Sequence, residues 1–129
     1  MKQIVDTCVW SKALRKTNHQ IDPQFHELLE SGNVVLLGPI RQEILCGIKS
    51  KRQFDKLKIK LDAFPDIEIL QNDYIAAAQF FNQCRSQGVQ GSMIDFLIAA
   101  VSVRTGYRTY TYDKDFNLYQ ETLGVKILF

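Results

Sequence analysis

The chain has 129 residues, 46% of them hydrophobic and 23% charged, with a formal net charge of +2. That suits one domain, residues 1–129, with enough apolar material for a core of its own. The small net charge excludes a nucleic-acid binder that works by bulk charge, and no apolar run reaches the ~18 residues of a membrane helix.

The opening Met1-Lys2-Gln3-Ile4-Val5-Asp6 lacks the apolar stretch of a secretory signal, so the start reads as mature protein. Cys8, Cys46 and Cys84 are odd in number and widely spaced, there is no CxxC, and His19 and His26 have no cysteine near them. The pattern argues against a zinc site or a disulfide framework. It favours small core thiols in a reducing, cytoplasmic setting.

Gln3–Val5 is a short branched apolar run that predicts a buried strand, with Asp6-Thr7-Cys8 directly after it. Val34–Leu37 predicts a second strand, ended by Gly38-Pro39. Proline then opens a helix on which Ile40, Ile44, Leu45 and Ile48 share a face. Phe54, Leu57, Leu61 and Phe64 mark a second helix that stops at Pro65. Tyr74, Ala77, Ala78, Phe81 and Cys84 mark a third, with Gly88 closing it. Ser92–Val103 is apolar nearly all round apart from Asp95 and Ser102, which predicts a buried helix ended at Gly106. Arg108–Tyr112 and Val125–Phe129 complete the strands. Strands alternating with helices predict an α/β domain with a mainly parallel sheet, whose sites form beyond the carboxyl ends of the strands.

Four acids fall beside these core segments: Asp6, Glu43, Asp95 and Asp113. Each has an ordinary explanation. Asp6 can cap the following helix, Glu43 can lie on a solvated face, Asp95 can bind free N–H groups at the start of its helix, and Asp113 with Asp115 can form an Asx turn. Asp95 is set apart by Met93, Ile94, Phe96, Leu97 and Ile98, which should bury it. Two carboxylates ~4 Å apart repel by ~4 kcal/mol at an effective dielectric near 20. A cluster of four would therefore need a hard divalent cation or raised pKa values. With a cation, such a site is equipped for phosphodiester hydrolysis.

The motifs Ile4-Val5-Asp6-Thr7, Gly38-Pro39-Ile40-Arg41-Gln42-Glu43-Ile44, Met93-Ile94-Asp95-Phe96-Leu97-Ile98-Ala99-Ala100 and Tyr110-Thr111-Tyr112-Asp113-Lys114-Asp115-Phe116 resemble, in order and spacing, the PIN domain. Within it they resemble the VapC-type ribonuclease toxins of toxin–antitoxin pairs. The resemblance implies a PIN-like three-layer domain, a central mainly parallel sheet flanked by helices. It implies Mg²⁺ or Mn²⁺ held by Asp6 and Asp95, while Glu43 and Asp113 bind through water, hold a second ion or orient the nucleophile. Thr7 and Thr111 match supporting hydroxyls, Asp115 competes with Asp113 for the fourth place, and Cys8 stands where the family often has a small or polar residue. An RNA substrate, a cognate VapB-type antitoxin and a homodimer are implied as partners, with no membrane involved.

Lys49, Lys51, Arg52, Lys56, Lys58 and Lys60 crowd one stretch opposed only by Asp55. They alternate with apolar Phe54 and Leu57, as on a solvated amphipathic face. The same face, Lys49, Arg52 and Lys56 above all, could track RNA or meet an antitoxin, with Arg15, Lys16 and Arg41 as rival RNA contacts. Two other readings compete: a non-catalytic PIN-like module that only binds RNA or protein, and a different Mg²⁺-dependent phosphoryl-transfer domain. Cys8 replaces the second acid that a haloacid-dehalogenase-like Asp-x-Asp requires, and no Walker motif, GxGxxG loop or Ser/His/Asp pattern occurs.

Overall fold

A computed structural model describes residues 1–15 and 22–128. Lys16, His19 and Phe129, and the side chain of Arg15, lie outside the described residues. In chain order the elements are β1 (Gln3–Val5), α1 (Thr7–Arg15), α2 (Pro23–Ser31), β2 (Val34–Val35), α3 (Gly38–Leu45), α4 (Lys51–Leu61), α5 (Gln71–Ser86), α6 (Met93–Thr105), β3 (Arg108–Tyr110), α7 (Asp115–Leu123) and β4 (Ile127–Leu128). The four strands form one parallel sheet in the order β2-β1-β3-β4.

The chain leaves β1 toward β2 on one side, then crosses back to β3 and on to β4 on the other. Right-handed crossovers in opposite directions put helices on both faces of the sheet, which is the three-layer arrangement expected. The reversal falls between β1 and β3. Their carboxyl ends, Val5 and Tyr110, are register partners. A crevice beyond a sheet opens at such a reversal. The Asp6 amide donates to the Tyr110 carbonyl at 2.9 Å, so the two strands stay joined at the point where both chains turn out of the sheet.

The core is continuous from Ile4, Val5 and Val9 through Val34–Leu37 and Ile40 to Phe96–Val101, Tyr110, Phe116 and Tyr119. Trp10 packs edge-on against Phe25 at 5.1 Å and Phe64 at 5.2 Å, which ties α1 to α2 and to the turn that follows α4. Helix α6 is buried from Phe96 to Ser102 and makes its broadest contact with α5. Arg104 near its end donates to Asp73 on α5 at 2.7 and 2.9 Å, and Asp73 is only 2% exposed.

Several boundaries differ from expectation. The segment Val34–Leu37 is paired with β1 only over Val34 and Val35. At Leu36 the backbone turns its bonds outward to Pro65 and Ile67, so the segment after α4 adds an isolated bridge to the sheet edge. Arg108–Tyr112 ends as a strand at Tyr110, because the next two residues bond the β1–α1 turn instead. Helices α2 and α7 have no counterpart in the periodicity reading. Yet α2 carries good local signals: Asp22 caps it, Pro23 opens it and Gly32, at φ 74°, closes it.

Candidate active site

Asp6 is the deepest of the four acids, 7% exposed. It leaves β1 at the sheet reversal, where its Oδ1 accepts from the Thr7 amide at 2.8 Å and its Oδ2 from the Thr111 hydroxyl at 2.9 Å. The Cys8 thiol also reaches Oδ2, at 3.6 Å. Burial pushes the Asp6 pKa up; the Thr111 and Thr7 bonds oppose this, and the charge of Asp95 adds to the rise. Burial and the Asp6 charge push the Cys8 thiol up in turn.

Glu43, exposed on α3, accepts from the Thr7 hydroxyl at 2.9 Å. Thr7 thus serves two acids, Asp6 through its amide and Glu43 through its hydroxyl. Asp95 stands at the third position of α6 in a reciprocal capping box. Its Oδ2 accepts from the Ser92 amide at 3.0 Å, and Ser92 Oγ accepts from the Asp95 amide at 3.1 Å. Its neighbours do not bury it as expected. Met93 is 82% exposed and Asp95 itself half-buried, since the first turn of α6 projects past the layer that covers Phe96 onward. Burial still raises its pKa; the Ser92 bonds resist, and the charges of Asp113 and Glu43 add to the rise.

Convergence is seen in the bonds by which Thr7 serves Asp6 and Glu43 and Thr111 serves Asp6 and Asp113, and the charge effects on Asp6 and Asp95 agree with it. Asp95 feels Glu43 and Asp113, and Asp6 feels Asp95, so the four acids come from four separate elements or loops. Asp113 accepts from the Asp115 amide at 2.9 Å, so the Asx-turn reading holds too, and its own amide donates to the Thr111 hydroxyl at 3.0 Å. Asp115 is exposed in the first turn of α7, whereas Asp113 is half-buried and its charge acts on Asp95.

Among the described residues, no three His, Cys, Asp or Glu side chains are arranged to hold a metal ion as they stand. The carboxylates are instead engaged by Thr7, Thr111 and Ser92, and no salt bridge among the described residues neutralises any of the four. The donor set, carboxylate and hydroxyl oxygens with unrelieved mutual repulsion, fits a hard divalent cation in its chemistry.

An open groove of about 830 Å³ runs from Glu43 past Ser11 and Ile44 to Lys49, Ser50 and Gln53. Lys49, Arg52 and Lys56 are all exposed, and Lys51 pairs with Asp55 at 2.9 Å. Arg41, a rival RNA contact, is committed elsewhere: it binds Asp66 at 2.8 Å and the Phe64 carbonyl at 2.9 Å. The sequence reading missed a cluster beside the acids. Asp22 Oδ2 accepts from the Tyr110 and Tyr112 hydroxyls, while its Oδ1 caps α2. Burial opposes ionisation of Asp22, but the two hydroxyls and the α2 amides outweigh it and lower the pKa, while Tyr112 is pushed up to about 12. The Asp22-Pro23 cap signal could have located this carboxylate. Its tyrosine partners, 88 and 90 residues away, could not be read locally.

Residues 4–121 match the PIN domain family. Ribonuclease VapC11 of Mycobacterium tuberculosis and a VapC ribonuclease of Mycobacterium bovis are each 29% identical over 119 residues, covering 89% of this chain and 89% of theirs. Among solved structures, VapBC2 from Rickettsia felis bound to a DNA fragment from their promoter superposes with a TM-score of 0.80 at 18% identity, over 99% of this chain and 98% of that one. FitAcB from Neisseria gonorrhoeae gives 0.70 at 20% identity, over 98% and 96%.

Proposed function

The chain belongs to the PIN domain family, and from that premise we propose that it is the toxin of a toxin–antitoxin pair, an endoribonuclease that hydrolyses RNA phosphodiester bonds with a divalent cation. The observation that carries this reading is the bonding at the sheet reversal, where Thr7 joins Asp6 to Glu43 and Thr111 joins Asp6 to Asp113, with the Asp95 charge acting on Asp6. The ribonuclease names of the mycobacterial relatives and the toxin–antitoxin complexes among the solved neighbours support it.

In this reading Asp6 and Asp95 would hold the cation, Mg²⁺ or in its place Mn²⁺. A bound divalent ion neutralises the phosphate and makes water a better nucleophile at neutral pH. Thr7 and Thr111 aim the carboxylates, so little reorganisation is needed when substrate arrives. Glu43 and Asp113 orient the attacking water in line and take its proton. Lys49 lines the groove that starts at Glu43 and guides the RNA backbone along it, with Arg52 and Lys56 exposed on the neighbouring helix α4.

The cognate antitoxin would be a VapB-type protein, as in the named complexes. A second copy of the chain fits the apolar cleft between α5 and α6, about 320 Å³, where Tyr74 is 56% and Met93 82% exposed. No helix among the described residues is long and apolar enough to cross a membrane. The free thiols of Cys8, Cys46 and Cys84 accord with a cytoplasmic site of action.

The decisive experiment incubates purified chain with total RNA and maps the new ends, with Mg²⁺, with Mn²⁺, with excess chelator, and with Asp6→Asn. Cleavage that needs the ion and disappears in Asp6→Asn is expected. Intact RNA in every arm, beside binding of RNA, would favour the non-catalytic module.

A further inference from the structure

We propose that Lys12 and Tyr112 form a subsite for one unpaired nucleotide flanking the cleaved bond, the tyrosine ring taking the base and the lysine its phosphate. The proposal rests on the ribonuclease reading above and adds to it which side chains hold a nucleotide beside the cleaved bond.

Tyr112 stands between Thr111, which bonds Asp6, and Asp113. Its amide donates to Cys8 Sγ, which itself lies 3.6 Å from Asp6 Oδ2, so the backbone of Tyr112 runs beside the acid cluster, and the residue is 38% exposed. Three contacts fix it. The hydroxyl donates to Asp22 Oδ2 at 2.6 Å, the amide donates to Cys8 Sγ at 3.4 Å, and the ring meets Tyr110 edge-on at 5.8 Å. A ring held this way loses little freedom when something stacks on it.

Lys12, exposed on α1, lies with its Nζ 5.1 Å from the centre of that ring. No salt bridge among the described residues involves it. An ammonium over an exposed ring is a weak and exchangeable cover. An unpaired base offers a larger stacking surface, and the displaced ammonium then has a phosphate to bind. A duplex base cannot reach the ring without leaving its stack, which selects single-stranded RNA. A positive side chain here also offsets the repulsion between four carboxylates and an incoming phosphate.

The test uses a single-stranded RNA oligonucleotide that the unsubstituted chain cleaves, and measures its binding to the Asp95→Asn protein in Mg²⁺ over a range of salt. Adding Tyr112→Leu should weaken binding about 5- to 100-fold, whereas Tyr112→Phe, which keeps the ring, stays close to the parent. Adding Lys12→Gln should flatten the salt dependence by about 0.7 in slope. One abasic residue moved along the oligonucleotide should cost affinity at a single position, and at that position Tyr112→Leu should add nothing further. Should Tyr112→Leu not fold, as judged by circular dichroism, the abasic scan and the Lys12→Gln slope decide alone. A folded Tyr112→Leu that binds like its parent, an abasic scan without a sensitive position, or an unchanged slope in Lys12→Gln overturns the subsite only. If no RNA is bound or cut by any form, the ribonuclease reading falls and the subsite with it.

Discussion

Thr111 Oγ1 donates to Asp6 Oδ2 at 2.9 Å and accepts from the Asp113 amide at 3.0 Å, so one buried hydroxyl joins two acids that lie more than a hundred residues apart. Thr111→Val keeps the shape and removes the hydroxyl. It should cost about 1–3 kcal/mol in denaturant unfolding, because Asp6 is left short of a donor. Cleavage should fall about 10- to 100-fold, with Thr111→Ser restoring most of it. Parental cleavage by Thr111→Val would show that Asp6 does not need this bond.

Asp95→Asn separates catalysis from stability. Burial, with the charges of Asp113 and Glu43, raises the folded-state pKa of Asp95 above its ordinary 3.8. Between those two values the folded chain binds more protons than the unfolded one, so this group's contribution to stability falls as pH rises through that window and stays lowest above it. Asparagine removes the charge and keeps an oxygen for the Ser92 amide. In chelator at neutral pH, Asp95→Asn should therefore melt higher than the parent, and the gap should close below pH 3.8. Its cleavage should drop by about two orders of magnitude or more. A lower melting temperature at neutral pH would mean that the capping role outweighs the repulsion.

Gly91 is required for want of space. A Cβ there would stand 2.1 Å from the Tyr119 hydroxyl and 2.9 Å from the Phe96 ring. Tyr119 is fully buried and donates to the Gln90 carbonyl at 2.6 Å, just ahead of the α6 turn that carries Asp95. Gly91→Ala should lose about 1–3 kcal/mol in thermal or denaturant unfolding and lower cleavage with it. Adding Tyr119→Phe should recover part of the stability loss by opening room, and strictly additive losses would rule out the clash.

The Arg104–Asp73 pair should dominate the α5–α6 contact electrostatically. Arg104→Leu leaves Asp73 buried without its cation and should cost about 2–4 kcal/mol, whereas the double change with Asp73→Asn should cost less than Arg104→Leu alone. Burial works against the Asp73 carboxylate, but Arg104 and the Leu70 amide hold its pKa below 3.8. The stabilisation is then complete above 3.8 and lost as pH falls through the lowered value. Parallel melting curves of parent and Arg104→Leu down through that range would contradict the assignment.

Much of the site was legible from local pattern. The branched run before Asp6, the Gly38-Pro39 stop before Glu43, and the unbroken apolar stretch around Asp95 each place an acid at the end of a core element, because hydrophobic spacing and backbone stops act within a few residues. Asp95 as a cap and Asp113 as a turn residue were equally legible, and both roles coexist with membership of the cluster. The α7 helix left a weaker trace, with Phe116 and Tyr119 as its buried pair.

By itself, then, the sequence determined the parallel α/β class, the helices α3 to α6 and the position of four acids beside core segments, since these follow from periodicity and residue type. Tertiary structure alone decided that Met93 faces outward, that Arg41 is spent on Asp66, that Thr111 serves Asp6, and that Asp22 anchors Tyr110 and Tyr112. The reason is physical. Each of these depends on which segments the sheet order brings side by side, and contacts across tens of residues leave no periodic mark in the chain that makes them.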